Sequence, residues 1–365
     1  MNTNSKALSL YDIIVAEIEQ TTGISLHDLQ QELDENHPEV KRYGDLSHLI
    51  LTTSALLQDC LPNNRGMSEM DKPKMVENWV IMAKCLARMA SFLSTQGIFD
   101  EQRLPTNAVL GVIAASYKYI DEHGDFLGKA EKLLSRYLWS SFFTERYQNS
   151  AASRAHVDYL AIISLLKTRN FEDLSVANVP VLNREDFPII DFDKLVKLKW
   201  PKKAGINERG ILAISTKLGA IDFADGQLAS FESIQKREYH HIFPDALLKE
   251  FKIESNLSLN CALITWKTNR DIGRKDPLKY LTERTVWMEE ETIRQRLRTH
   301  LISYDVLAKA SYEGLEGTQL KERLSYDFKD FINNRATYFY KAIQLLTNGD
   351  DITVESVMPQ ISKID

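Results

Sequence analysis

Apolar residues recur at three- and four-residue steps through most of the first half of the chain, the spacing that lines one face of an α-helix. Ser9 and Asp12 have capping-box spacing ahead of one such stretch, which ends at Gly23, and Ser25 and Asp28 repeat the device. Further helices are expected over 45–59, 74–95 with Gly97 behind it, 106–122 ending near Gly124, 129–144 and 150–166. Met75, Trp79, Met82, Leu86, Met89 and Leu93 form one stripe, which reads as core and not as a cofactor box. From Asn170 to Lys203 the helical period breaks. Pro180, Pro188 and Pro201 with alternating apolar positions suggest loops and short extended pieces, and hence a domain connection.

Beyond that break the pattern is mixed. A helix is expected from Asn207 to Leu218, and Asp225-Gly226 reads as a tight hairpin turn between short apolar runs. Asp245 to Phe251 should form a short helix, and Asp276-Pro277 is a good N-cap and first-turn pair for a helix through Arg284. Ile293, Leu297, Leu301 and Tyr304 mark one later helix. Leu320, Leu324, Phe328, Phe331, Phe339 and Leu346 mark a last long one that Gly349 ends. The expected fold is mainly α, divided as 1–169, a connecting segment 170–206, a unit 207–285 with a short strand pair, and a helical segment 286–365.

Composition narrows the function. With 365 residues, 44% apolar and 26% charged, the chain has ample core, and its net charge of −6 argues against a basic coat, so any nucleic-acid contact must be local. Cys60, Cys85 and Cys261 form no CxxC pair, which suggests a reducing, cytoplasmic setting without a structural zinc. The longest apolar run, near Val109 to Ala115, is too short to span a bilayer, and the start is polar and lacks a signal-peptide core. A Walker A loop, GxGxxG, GxSxG and HExxH are all absent.

Chemistry-bearing residues concentrate between Glu238 and Pro277: the pair His240-His241, then Asn260, Asn269 and a run of basic residues. If Tyr239 to Phe243 is extended, the two imidazoles point to opposite faces. At the end of a short strand before Pro244, one can serve a metal and the other a water. Ala262 to Trp266 would supply the pairing strand, with Asn269 opening a helix beside it. Each part has a plainer reading: a polar surface pair, a turn residue, a helix cap, a solvated helix face. It is their order and spacing together that point to a metal-dependent nuclease site, because cutting a phosphodiester needs a base for water and a cation for the leaving oxygen.

His240-His241-Ile242-Phe243-Pro244, then Asn260 and, nine positions on, Asn269-Arg270, resembles the HNH (ββα-metal) nuclease motif. The spacing is similar to that in the RNA-guided CRISPR nuclease. The likeness is closer to the C-terminal HNH domain of GmrSD-type modification-dependent restriction enzymes. The motif covers about 227–281, and a weaker helical likeness reaches back to about Pro105. The resemblance implies a small ββα-metal unit with His241 as general base, His240 and Asn269 as metal ligands and Asn260 as the brace of the catalytic loop. His240 stands where the family more often has a carboxylate or His, a neutral ligand that leaves Mg²⁺, Mn²⁺ or another transition ion open. The resemblance further implies a DNA substrate and a role in restriction or anti-phage defence. The nucleotide-binding Asp-Gly-Gln-Gln-Arg signature of the family is missing, so a partner protein supplies that domain or the chain works without a nucleotide.

Lys267, Arg270, Arg274 and Lys275 would present a local positive face to phosphates. The segment from Lys194 to Lys203, with five lysines, no acid and Trp200, reads either as an arm along a phosphate backbone, with Lys199 and Lys202 in contact, or as a solvated edge strand. Two other functions stay in view. One is an inactive nucleic-acid-binding or sensing subunit. The other is a metal-independent HEPN-like ribonuclease acting through Arg294 and His300. Arg146, Tyr147, Arg154 and His156 sit at a helix junction and are expected to fix the hairpin there.

Overall fold

The computed structural model describes residues 9–169, 179–202, 205–265, 272–273 and 275–359. The protein is mainly helical, with one two-stranded antiparallel sheet among the described residues. It divides into two compact units. One takes in Met1–Ser94, Asp100–Gln102 and Thr106–Pro188; the other takes in Thr95–Phe99, Arg103–Pro105 and Ile189–Asp365. Among the described residues no helix is long and apolar enough to cross a membrane.

The first unit is a helical assembly whose ends are set by local side chains. Helix Leu10–Thr22 opens on the Ser9/Asp12 capping box and closes on Gly23, whose φ of 69° suits a residue without Cβ. A cap of this kind stabilises a helix by about 1 kcal/mol. Ser25 caps Leu26–Asn36, and Asp45 caps Leu46–Leu57. The single helix expected over 74–95 is two, Lys72–Glu77 and Trp79–Thr95, because Asn78 ends the first. The Asn78 amide bonds back to the Lys74 carbonyl at 2.8 Å, an alternative to continuing the helix. Met75, Trp79, Met82, Leu86, Met89 and Leu93 are all buried, so the stripe is core.

Helices Asp125–Phe143 and Ala151–Thr168 meet at a closed polar network. Arg146 holds Asp158 through Nε at 3.1 Å and Nη2 at 3.0 Å. Tyr147 donates to the same carboxylate at 2.6 Å, and its hydroxyl is 2.7 Å from that of Tyr137. Arg146 and Arg154 also exchange bonds to each other's carbonyls, and His156 Nε2 lies 3.2 Å from the Asp59 carbonyl. These side chains tie the hairpin together.

The second unit carries strands β1 (Arg237–His241) and β2 (Cys261–Thr265). Their register pairs His241 with Cys261, His240 with Ala262 and Arg237 with Thr265. One face of the ribbon, with Cys261 and Leu263, packs on Leu212 of helix Ile206–Lys217, with Tyr239 and Trp200 alongside. Helices Pro277–Arg284, Glu290–Arg298 and Gly317–Thr347 belong to the same unit. The motif and the C-terminal helices are therefore folded together. The helix expected to run through Tyr304 stops at Arg298, and Leu301 takes a positive φ of 55°.

Candidate active site

Both ends of the ribbon are fixed by buried polar side chains. At the open end, Asp222 is fully buried. Its Oδ2 accepts from the Thr265 amide at 2.7 Å, and its Oδ1 accepts from the Ala224 and Asp225 amides at 2.8 and 3.2 Å. Arg237 donates to the Ala220 and Gln227 carbonyls at 2.9 and 2.5 Å. The Asp225-Gly226 turn is thus strapped to the first pair of the ribbon, and Gly226 takes a φ of 72° that only a residue without Cβ enters freely.

At the site end the strap is Asn260. Its Oδ1 accepts from the Phe243 amide at 2.8 Å, and its Nδ2 donates to the Phe243 and Ser255 carbonyls at 3.1 and 3.0 Å. Both amide protons are used and the residue is fully buried, so Asn260 shapes the loop from inside. Buried Arg335, on the long C-terminal helix, brackets it. Its Nη1 donates to the carbonyls of Leu259 and Cys261 at 2.7 and 2.9 Å, and its other nitrogens donate to the His300 carbonyl. Burial pushes the guanidinium down to about 9, which leaves it charged at neutral pH. Hydrogen bonds from a charged donor contribute about 1.5–3 kcal/mol each, enough here to offset part of its desolvation.

The two imidazoles diverge as alternation along a strand requires. His241 stacks on Trp200 with ring centroids 4.1 Å apart and planes 19° from parallel. Its Nε2 lies 3.2 Å from Asn256 Oδ1. With the amide oxygen facing the ring, Nε2 carries the proton and Nδ1 keeps its lone pair. Burial holds the His241 pKa below its ordinary value, partly opposed by the Asp245 carboxylate, so the ring is neutral at pH 7. That is the state a base needs.

His240 is 7% exposed, and its Nε2 has no hydrogen-bond partner among the described residues. The Glu238 carboxylate, two positions back on the same face, comes within 3.7 Å of that nitrogen. Burial lowers the His240 pKa, with Glu238 pulling the other way. A buried imidazole nitrogen left open costs roughly 1–3 kcal/mol, a cost that coordination of a cation removes. Among the described residues no cluster of three or more His, Cys, Asp or Glu could hold a metal ion. The open nitrogen and neighbouring carboxylate nevertheless fit two positions of a one-ion site. The further ligand implied by the resemblance, Asn269, lies outside the described residues, as do Lys267, Arg270 and Arg274.

Lys275 is paired with Glu283. In the lysine segment, Leu195, Leu198 and Pro201 are buried while Lys199 and Lys202 point to solvent. Lys199 forms an isolated antiparallel bridge with Leu257, and the Ser258 amide donates to the Leu198 carbonyl at 2.9 Å. The segment is therefore fastened to the loop of the motif, and the Trp200 face is given to His241. Arg294 is taken up by Glu290, Asp305 and the ring of Tyr304. His300 is fully buried with Nε2 2.9 Å from the Ile221 carbonyl, and burial pushes its pKa down to about 3. The structure gives Arg294 and His300 separate partners and does not present them as one open pair.

Sequence reasoning did not single out Glu238, Asn256 or Arg335. The i, i+2 spacing of Glu238 and His240 on a strand was available as a signal. Asn256 and Arg335 have none, because their partners are set by the fold of the loop and by contacts across more than seventy residues.

No protein-family model matches the chain. Comparison with curated proteins finds an uncharacterized protein of Methanocaldococcus jannaschii that is 24% identical over 299 residues, covering 78% of this chain and 48% of that protein. The chain thus spans about half the length of the curated relative it matches, which lends no activity of its own.

Proposed function

We propose that the protein is a metal-dependent endonuclease of the HNH (ββα-metal) type that cuts DNA phosphodiester bonds. The observation that carries this reading is the pairing, at the end of one strand, of a neutral imidazole fixed for proton uptake and a buried imidazole whose outer nitrogen is open. His241 takes a proton through Nδ1 from a water that attacks phosphorus in line. Trp200 and Asn256 hold the ring plane and its tautomer, and Asn260 and Arg335 hold the strand end that carries it. His240, Glu238 and, by the resemblance, Asn269 are the residues to hold one Mg²⁺ or Mn²⁺. Such an ion, when bound, offsets charge on the phosphate and on the departing oxygen. Glu238 supplies the carboxylate that a hard cation favours and that His240 lacks. The restriction or defence setting, a cytoplasmic location and a nucleotide-binding partner follow from the resemblance and belong to this proposal.

The test is nicking of supercoiled plasmid by the full chain in Mg²⁺ or Mn²⁺, with and without EDTA. Nicking that needs the ion is expected. A folded protein that nicks with no divalent ion supplied and in the presence of chelator contradicts the reading, as does one that binds DNA but never cuts. RNA cleavage that survives EDTA and is lost in His300→Ala supports the ribonuclease alternative instead.

A further inference from the structure

We propose that the cleft beside Trp287 receives a nucleobase turned out of the DNA stack, close to the phosphate that His241 attacks. This rests on the nuclease reading and specifies which part of the substrate the protein grips. The cleft has a volume of about 410 Å³ and is lined by Ala224, Lys275, Tyr280, Glu283, Arg284, Trp287 and Met288. That size is within the range of pockets that hold small ligands, roughly 300–1,000 Å³.

Three features select the occupant. Trp287 is 85% exposed and the adjacent Val286 is 75% exposed, whereas Trp79 and Trp139 are buried and Trp200 is half-buried against His241. An indole in water at the rim of a cleft, with no ring stacked on it among the described residues, is a stacking surface, and every base offers a π face to it. Lys275, ion-paired with Glu283, and the buried Arg284, steadied by the Phe223 carbonyl at 3.3 Å, supply polar groups beside the ring for the edge of a base. The helix that leads to Trp287 is hooked to the site, since Tyr280 donates to the Ile242 carbonyl, next to His241, at 3.1 Å. Trp287 lies three residues beyond the end of that helix at Arg284, so its backbone is within roughly 17 Å of Tyr280, four residues of helical rise and three of turn. A base bound there therefore belongs to a nucleotide within a few steps of the bond being cut.

The experiment reads binding without cutting. Full-length His241→Ala protein in EDTA is mixed with a short single strand, a fully paired duplex and a duplex with a one-base bulge. Tryptophan fluorescence is recorded, and the Trp287→Phe version of the same protein isolates the Trp287 signal. The single strand and the bulged duplex should quench Trp287 strongly, and the paired duplex weakly. Trp287→Ala should weaken single-strand binding about tenfold, with Trp287→Phe recovering most of it. Because Trp287 is exposed, circular dichroism should show both variants folded. Absence of quenching by all three ligands overturns the proposal, as does equal quenching by paired duplex and single strand, or unchanged affinity in Trp287→Ala. Plasmid nicking is scored separately on the wild type. Loss of the quenching result with ion-dependent nicking intact removes the cleft alone, and quenching without any nicking removes the nuclease reading alone.

Discussion

Two buried polar clusters, one in each unit, are built from similar groups to opposite effect. Around Asp158, both carboxylate oxygens are met by Arg146 and Tyr147, and Tyr147 is met in turn by Tyr137. Around the end of β1, the brace is equally complete at Asn260, yet His240 keeps an open buried nitrogen and His241 keeps a lone pair with its ring held neutral. A polar cluster closed on itself fixes a helix hairpin. The cluster at β1 is closed on one side and leaves the His240 nitrogen unsatisfied on the other, which is the feature the proposed ion site uses.

Substitutions should separate the two. The largest effect is expected for His241→Ala, which should slow nicking by about 10²–10⁴-fold, the usual contribution of a general base, with little change in Tm. In the first unit Arg146→Ala should lower stability by about 3–5 kcal/mol, because it leaves the buried Asp158 charge without its partner; urea denaturation measures it. His240→Leu should keep or slightly raise stability, since it removes an unsatisfied nitrogen, while abolishing cation-dependent nicking. Equal losses of stability in Arg146→Ala and His240→Leu would erase the distinction between the clusters.

The histidines also set a pH dependence. His240, His241 and His300 have folded-state pKa values below the ordinary 6.5, so below that pH the unfolded chain binds more protons than the folded one. Stability should therefore fall as pH drops below about 6.5, most steeply through His300, at up to about 1.4 kcal/mol per pH unit. For fully buried His300 the loss continues to about pH 3. Urea midpoints between pH 7.5 and 4.5 measure this, and a His300→Gln variant should show a shallower slope. The smallest effect is expected for Lys199→Ala and Lys202→Ala. Each should reduce the salt slope of DNA binding by about one if it meets a phosphate, and leave it unchanged if the segment is only a solvated edge.

How much of this was readable from sequence depends on the range of the interaction. The Ser9 capping box, the Asp276 cap and the Gly23 stop lie within a few residues of what they control, and their helices begin and end where the sequence places them. The divergence of His240 and His241 follows from strand alternation alone. The break at Asn78 was missed because a side chain competing with the backbone is a weak signal inside a strong apolar stripe. Trp200 stacks on the His241 ring forty-one positions away, a partner that no local pattern around either residue marks. Arg335 had no local mark at all. It is buried and charged because the carbonyls of residues 259, 261 and 300 converge there once the chain has folded.

The central claim, an ion held by the open nitrogen of His240 beside the base His241, is met most directly by following plasmid nicking as Mn²⁺ is titrated into wild type and His240→Ala. The wild-type rate should rise and saturate, and the variant should need far more Mn²⁺ or never saturate. Identical midpoints and plateau rates for the two proteins would contradict the account.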